Sequence, residues 1–304
     1  MKTHLPYVMT LLLALPLAAG AQDEAPEVSS VQRTINAAGE VQLPAATPEV
    51  SKGQQWKFQI LNEIYFNEAE YREHQGDTTV TTYTEPKLGY LLAPQTYLEL
   101  SVPFEINSVP RADQRARNIH EEAQQGKIFE GTRSANVWLG LNHKGGQVWG
   151  SQQMVTWLRY YLPTSELAQT KKQNGIVRLD LQVPWTLGSW QLVYLLNPRL
   201  TLSHDEAISR QSTLSFRQYL YVNYSVTDSL IVYTSYGHKL LSYSQRILDN
   251  EQVVHSFDSG VTYVFTPKVN VTLYVINDFV EGQENIELFK PEKNNFTLAT
   301  VIGF

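Results

Sequence analysis

The sequence of 304 residues has no cysteine, no cluster of basic residues and, past its first two dozen positions, no long apolar run. Each absence narrows the field. Without cysteine there are no disulfides, thiolate metal sites or cysteine nucleophiles. A formal net charge of -6 with no basic patch lacks the electrostatic footprint of a nucleic-acid binder. A spanning helix needs about 20 apolar residues in a row, so a multi-helix membrane protein is excluded, in keeping with a mean hydropathy of -0.28. What is present is an apolar fraction of 42%, ample for a core, and a surplus of aromatics with 17 Tyr and 6 Trp.

The first 21 residues are expected to be a secretory signal peptide. A basic start (Lys2, His4) precedes the apolar stretch Leu11-Leu12-Leu13-Ala14-Leu15, and Ala19-Gly20-Ala21 forms a small-residue cleavage pattern before Gln22. No cysteine follows, which excludes a lipoprotein anchor. Residues 22–54 are rich in Ala, Pro, Glu, Ser and Val without sustained periodicity, and read as a flexible periplasmic segment.

From Trp56 the sequence alternates with period two. Leu98, Leu100, Val102, Phe104 and Ile106 interleave with Glu99, Ser101, Pro103 and Glu105, and the same holds for Val177 to Trp185 and Leu214 to Tyr224. This is the pattern of strands with one apolar face. Twelve such runs are expected, at 55–67, 79–93, 96–107, 133–143, 148–162, 175–187, 190–202, 212–226, 229–241, 253–266, 269–279 and 295–304. Tight turns such as Ala93-Pro94-Gln95, Lys144 to Gln147 and Gly188-Ser189 alternate with longer polar segments such as 107–132, 163–174, 241–252 and 280–294. Long strands, an even count, and turns at one end with loops at the other predict an all-β fold. Residues 55–304 are read as a twelve-stranded antiparallel transmembrane β-barrel of the outer membrane.

Aromatic placement adds to this. With odd strands running outward, Trp56, Tyr90, Trp185, Trp190, Tyr224, Phe265 and Phe304 fall near the turn end of the apolar face. Phe66, Phe104, Tyr160, Phe216, Tyr236, Phe279 and Phe296 fall near the loop end. Two belts separated by aliphatic residues match two membrane interfaces. Asn62 and Gln218 break the apolar phase, so bulges or small phase errors are expected there. Pro103 and Pro184 each remove a ladder donor and are expected to mark a bulge or break.

The last strand, Phe296, Leu298, Thr300, Ile302 and terminal Phe304, resembles the C-terminal signature of Gram-negative outer-membrane barrels. That resemblance implies recognition by the barrel-assembly machinery through Phe304, and contact with outer-membrane lipid and lipopolysaccharide. Leu98-Glu99-Leu100-Ser101-Val102-Pro103-Phe104, echoed by Leu179 to Trp185, is similar to strands of a transporter family associated with phenol-degradation pathways. This second resemblance implies transport and assigns no residue.

Catalytic patterns are sparse. The chain resembles the outer-membrane phospholipase in strand count, but that chemistry needs neighbouring Ser and His on the outer face. His204 and His255 do not make the spacing, and His255 and Ser259 are two steps apart on one face. No catalytic residue and no cofactor is expected. Asp249-Asn250-Glu251 and Glu281-Gly282-Gln283-Glu284 match no calcium loop, and no metal site is assigned. The loop from Arg111 to Arg133 is compatible with a constriction folded into the mouth or with an exposed surface loop.

The inward phase carries more information. Arg159, Arg178, Arg199 and Arg217 come from four consecutive strands near the loop end, and Lys239 extends the row by one. Glu63, Glu85, Glu105, Asp258 and Asp278 fall on the other side of the barrel, and Trp157, Tyr161, Tyr219, Tyr221 and Tyr233 interleave with the basic residues. Opposed charges across a wet constriction orient small polar solutes. The expectation is a passive channel for small polar or anionic solutes. Two other arrangements fit the same residues: a closed structural or surface-contact barrel in which Arg, Asp180, Tyr and Trp interlock as a plug, and a lipid-modifying enzyme.

Overall fold

The computed structural model describes residues 34–35, 41–42, 55–67, 79–109, 115–117, 128–203, 214–242, 251–280 and 294–304. The signal peptide expected over 1–21 lies outside the described residues, as does most of 22–54. Twelve antiparallel strands close into a barrel. They are β1 (Trp56–Asn67), β2 (Thr79–Ala93), β3 in two pieces (Thr96–Ser101 and Phe104–Ser108), β4 in two pieces (Gly131–Ser134 and Trp138–Gly145), β5 (Met154–Tyr161) and β6 (Gln173–Leu187). They continue with β7 (Trp190–Ser203), β8 (Leu214–Ser225), β9 (Leu230–Ser242), β10 (Glu251–Thr266), β11 (Val269–Val280) and β12 (Asn294–Gly303). β12 pairs with β1 from Asn295↔Asn67 to Gly303↔Gln59, and the Phe304 amide donates to the Phe58 carbonyl at 2.9 Å. The seam between the first and last strands is closed, which is the condition for a sheet to sit in lipid.

The side-chain period of two puts the apolar residues outside. Leu98, Leu100, Leu158, Leu220, Val261 and Leu273 are all exposed on the outer wall, where lipid replaces water. At the turn end, rings interlock across strands: Trp56 with Tyr90 and Trp190 with Tyr224 each at 4.7 Å between centroids, and Phe58 with Phe304 at 5.4 Å. Phe66, Phe104, Tyr160, Phe216 and Tyr236 are exposed toward the loop end.

Several local expectations are corrected. Pro103 does break its strand, because β3 stops at Ser101 and resumes at Phe104. Pro184 does not: it pairs with Val193 inside an unbroken β6, and the only register shift there lies at Gln173/Gly175. β5 pairs with β6 only as far as Gln182, and the Pro184 carbonyl accepts from the Gln152 amide instead. Its missing N–H therefore faces an irregular segment that has no ladder to break. Nor do Asn62 and Gln218 create bulges. Thr84 donates to Asn62 Oδ1 at 2.8 Å and the Tyr194 hydroxyl to Gln218 Oε1 at 3.0 Å, so each polar group on the outer wall is satisfied by a neighbouring strand. The turn expected at Lys144 to Gln147 is longer, with β5 starting only at Met154 and the exposed Trp149 between. Strand β4 is interrupted at residues 135–137, and a short helix, α1 (Glu166–Thr170), covers that break. Asn136 Oδ1 accepts from the Ser165 amide and hydroxyl, and Thr164 Oγ1 from the Val137 amide.

The inner wall is less uniformly polar than alternation implies. Val193 and Leu195 on β7, with Ala299 on β12, pack inside against Tyr219, Tyr221, Tyr233 and Tyr274. Leu61 and Val301 form a second inward apolar contact backed by Tyr83. Aromatic rings need a dry surface to lie on, and these aliphatic side chains supply it.

Candidate lumenal site

The basic residues form a ladder by register. Arg159 is directly opposite Arg178, Arg178 opposite Arg199, and Arg217 opposite Lys239. Directly opposed like charges repel across a sheet, so each needs either a counter-charge or water. The two ends of the ladder solve this differently.

At the β5–β6 end, Asp180 serves both cations. Arg178 reaches Asp180 Oδ1 through Nε at 3.0 Å and Nη2 at 2.8 Å, Arg159 donates to Oδ2, and Asn197 Nδ2 donates to Oδ1. Arg159 is only 1% exposed, and its guanidinium lies over Trp157 at 4.5 Å and Trp138 at 5.3 Å. Trp157 donates to Glu99 at 2.6 Å, and Glu99 is also paired with Lys57. Lys87 binds Glu85 at 3.5 Å and lies over the Trp157 ring at 5.2 Å. The result is a continuous lattice from β1 to β6 in which each of the four cations named here has a carboxylate partner, with three carboxylates serving the four. A buried ion pair adds little net stability, but removing one partner costs about 3–5 kcal/mol because the other charge is stranded.

At the β7–β8 end, matching stops. Arg217 donates through Nε to Ser215 Oγ at 2.8 Å, and neither Arg199 nor Arg217 has a carboxylate partner among the described residues. Arg199 lines a cavity of about 350 Å³ near the loop end, between β3, β4, β6, β7 and the α1 segment. Glu105 and Arg133 also face this cavity but close on each other at 2.6 Å. Tyr161 lies close to Trp138, 6.2 Å between ring centroids, on the ladder's inner flank.

The acidic residues do not simply face the ladder. Glu85 is held by Lys87 and by the Tyr83 hydroxyl at 2.8 Å, and Glu105 by Arg133. Glu63 accepts from Tyr65 and, at 3.1 Å, from Tyr274. Asp258 accepts from Ser235 at 3.0 Å and Ser256 at 3.2 Å. Asp278 is opposite Ser256 in the β10–β11 register, and its side chain lies outside the described residues. The acidic residues are thus held by local partners, and among the described residues Arg199 and Arg217 are the ladder guanidiniums without a carboxylate partner.

Tyr219, Tyr221 and Tyr233 form a slab on the β8–β9 wall, with ring centroids 5.9 and 6.5 Å apart. The hydroxyls of Tyr221 and Tyr233 are buried without a hydrogen-bond partner. Two inward glycines make room for the slab. A Cβ on Gly237 would lie 2.4 Å from the Tyr219 ring, and one on Gly260 would lie 2.6 Å from both Tyr233 and Tyr274 and 2.7 Å from the Leu273 carbonyl. Gly140 similarly seats Arg159 and Trp138. Sequence reasoning missed these glycines, along with Lys57, Lys87 and Glu99. The available signal was glycine at an inward position facing a long side chain on the neighbouring strand.

On the outer wall His255 Nδ1 is 2.7 Å from the Tyr236 hydroxyl, while Ser259 Oγ is 3.0 Å from Thr234. His255 and Ser259 thus have separate partners. His204 and most of the two acidic loop motifs lie outside the described residues. So does most of the Arg111–Arg133 loop, apart from a short parallel ladder of Arg115–Ala116 with Ile128–Phe129. Among the described residues, no group of three or more His, Asp or Glu is placed to hold a metal ion.

No family model and no curated protein matches the sequence. Solved structures do resemble the fold. The translocator domain of the autotransporter NalP from Neisseria meningitidis has a TM-score of 0.42 at 9% identity, covering 86% of this chain and 93% of that one. The NanC porin has a TM-score of 0.45 at 7% identity, covering 81% and 98%. An outer-membrane channel from Pseudomonas putida F1 has a TM-score of 0.54 at 14% identity, covering 82% of this chain and 96% of that one. This last likeness speaks for the fold. Together with the closed sheet, the lipid-facing aliphatic wall and the aromatic belts, it makes the chain an integral outer-membrane β-barrel.

Proposed function

We propose that the barrel is a narrow passive channel for small anionic solutes, entered past the Arg199–Arg217 end of the ladder. The observation that carries this reading is the asymmetry of the ladder. Arg159 and Arg178 share a dedicated carboxylate, whereas Arg199 and Arg217 are held in the same wall with none among the described residues. A barrel built only for stability gains nothing from leaving two neighbouring guanidiniums uncompensated. A wet, cationic entrance raises the local concentration of anions and selects them over cations. The likeness to an outer-membrane channel is consistent with this role.

A second reading has its own support. Tyr219, Tyr221 and Tyr274 are at most 2% exposed and pack with Val193 and Leu195 inside the wall, as a structural plug would. Purified protein inserted in planar bilayers separates the two. The channel reading expects discrete conductance steps that increase when Tyr221 and Tyr233 are shortened to Ala. Silence across many insertions, in wild type and in that variant, would establish the closed barrel instead.

A further inference from the structure

The cavity beneath α1 has a composition more specific than a charged entrance requires. Its cationic groups are Arg199 from β7 and Lys171, which follows α1, and neither has an acidic partner among the described residues. Glu105 and Arg133 on the same wall pair with each other and together contribute no net charge. Beside the cations lies the side-chain amide of Gln173, whose oxygen is buried with no hydrogen-bond partner. A primary amide carries both an acceptor and two donors, so this group can accept from a hydroxyl or donate to a carboxylate. Part of the remaining wall is apolar, with Leu167, Ala168 at 2% exposed and Ile176 at 3%, and the rest is neutral and polar, with Ser134, Asn136, Ser165 and Thr201. A volume of about 350 Å³ has room for about a dozen water-sized groups.

We infer that this cavity is a binding subsite for small organic carboxylates with an apolar body. The guanidinium of Arg199 takes the carboxylate as a planar fork, Lys171 adds a second cation, and Leu167 and Ile176 receive the hydrocarbon. Inorganic phosphate would use the two cations but leave the apolar wall wet, and a neutral alcohol would leave both cations unmatched. Arg217, next along the ladder, is close enough to repel Arg199. An arriving anion relieves that repulsion, which favours binding and then allows hand-over along the row. The inference rests on the channel reading for its purpose, and its binding can be measured without conductance.

The test is calorimetric titration of the full chain in detergent micelles with cyclohexanecarboxylate, acetate, inorganic phosphate and cyclohexanol. Cyclohexanecarboxylate is expected to bind most tightly, with Arg199→Gln weakening it about tenfold or more. Leu167→Asp should abolish its advantage over acetate, and Lys172→Gln, just outside the lining, should change nothing. Folding of each variant is checked by heat-modifiable gel mobility. Equal binding of phosphate and cyclohexanecarboxylate, insensitivity to Arg199→Gln, or no binding of any probe would overturn the assignment. A barrel that conducts but does not bind refutes the subsite alone, and one that binds but never conducts refutes the channel alone.

Discussion

The two halves of the inner wall are built on different physics. From β1 to β6 the lumen is lined by ion-paired charges and the aromatic rings that shield them, with Lys57, Lys87, Arg159 and Arg178 each on a carboxylate of Glu85, Glu99 or Asp180 and against Trp157 and Trp138. From β7 to β12 it is lined by tyrosines lying on aliphatic side chains and over glycines, with the Asp258 carboxylate answered by the hydroxyls of Ser235 and Ser256. The charged half holds itself rigid through pairs that are costly to break. The tyrosine half is held by packing, and its loop end carries Arg199 and Arg217, which have no carboxylate partner among the described residues. Burial of charge therefore does not by itself mark function here, and the informative feature is where matching stops.

The largest effect that sharpens this contrast is loss of the shared counter-ion. Asp180→Ala strands Arg159 and Arg178 and is expected to cost about 3–5 kcal/mol, measured by urea unfolding in lipid vesicles. Arg199→Ala in the same assay should be neutral or slightly stabilising, because it removes repulsion and breaks no pair. Equal losses for the two variants would erase the distinction. Next comes the seating of the tyrosine slab. Gly260→Ala pushes a methyl against Tyr233, Tyr274 and the Leu273 carbonyl, and overpacking of this kind costs about 1–3 kcal/mol. Smallest is Tyr221→Phe, which removes a buried hydroxyl that has no partner and should change stability by less than about 1 kcal/mol, in the stabilising direction. A clear loss there would mean that the hydroxyl has a partner after all.

Much of the barrel was legible in the alternation, because side-chain phase is a strict period of two and lipid demands an apolar outer face. Strand count, the two belts and the inward phase of Arg159, Arg178, Arg199, Arg217 and Lys239 all follow from it. What alternation does not carry is the neighbour across the gap. Pro103 and Pro184 look alike in sequence, yet only Pro103 interrupts a strand, since the other sits where its neighbour's ladder has already ended. Asn62 and Gln218 look like phase errors until Thr84 and Tyr194 arrive from adjacent strands. At the candidate site the row of basic residues was readable, but the assignment of Asp180 to two of them depends on strand stagger and rotamer. So does the lack of such a partner at Arg199 among the described residues.

The central claim is that the unmatched end of the ladder sets what passes. The direct measurement is the reversal potential of single channels in a salt gradient at low ionic strength, where exposed charges are least screened. Wild type is expected to be anion-selective, Arg199→Glu with Arg217→Glu to become cation-selective, and Lys172→Gln to match wild type. A reversal potential that ignores the double charge reversal would contradict the account.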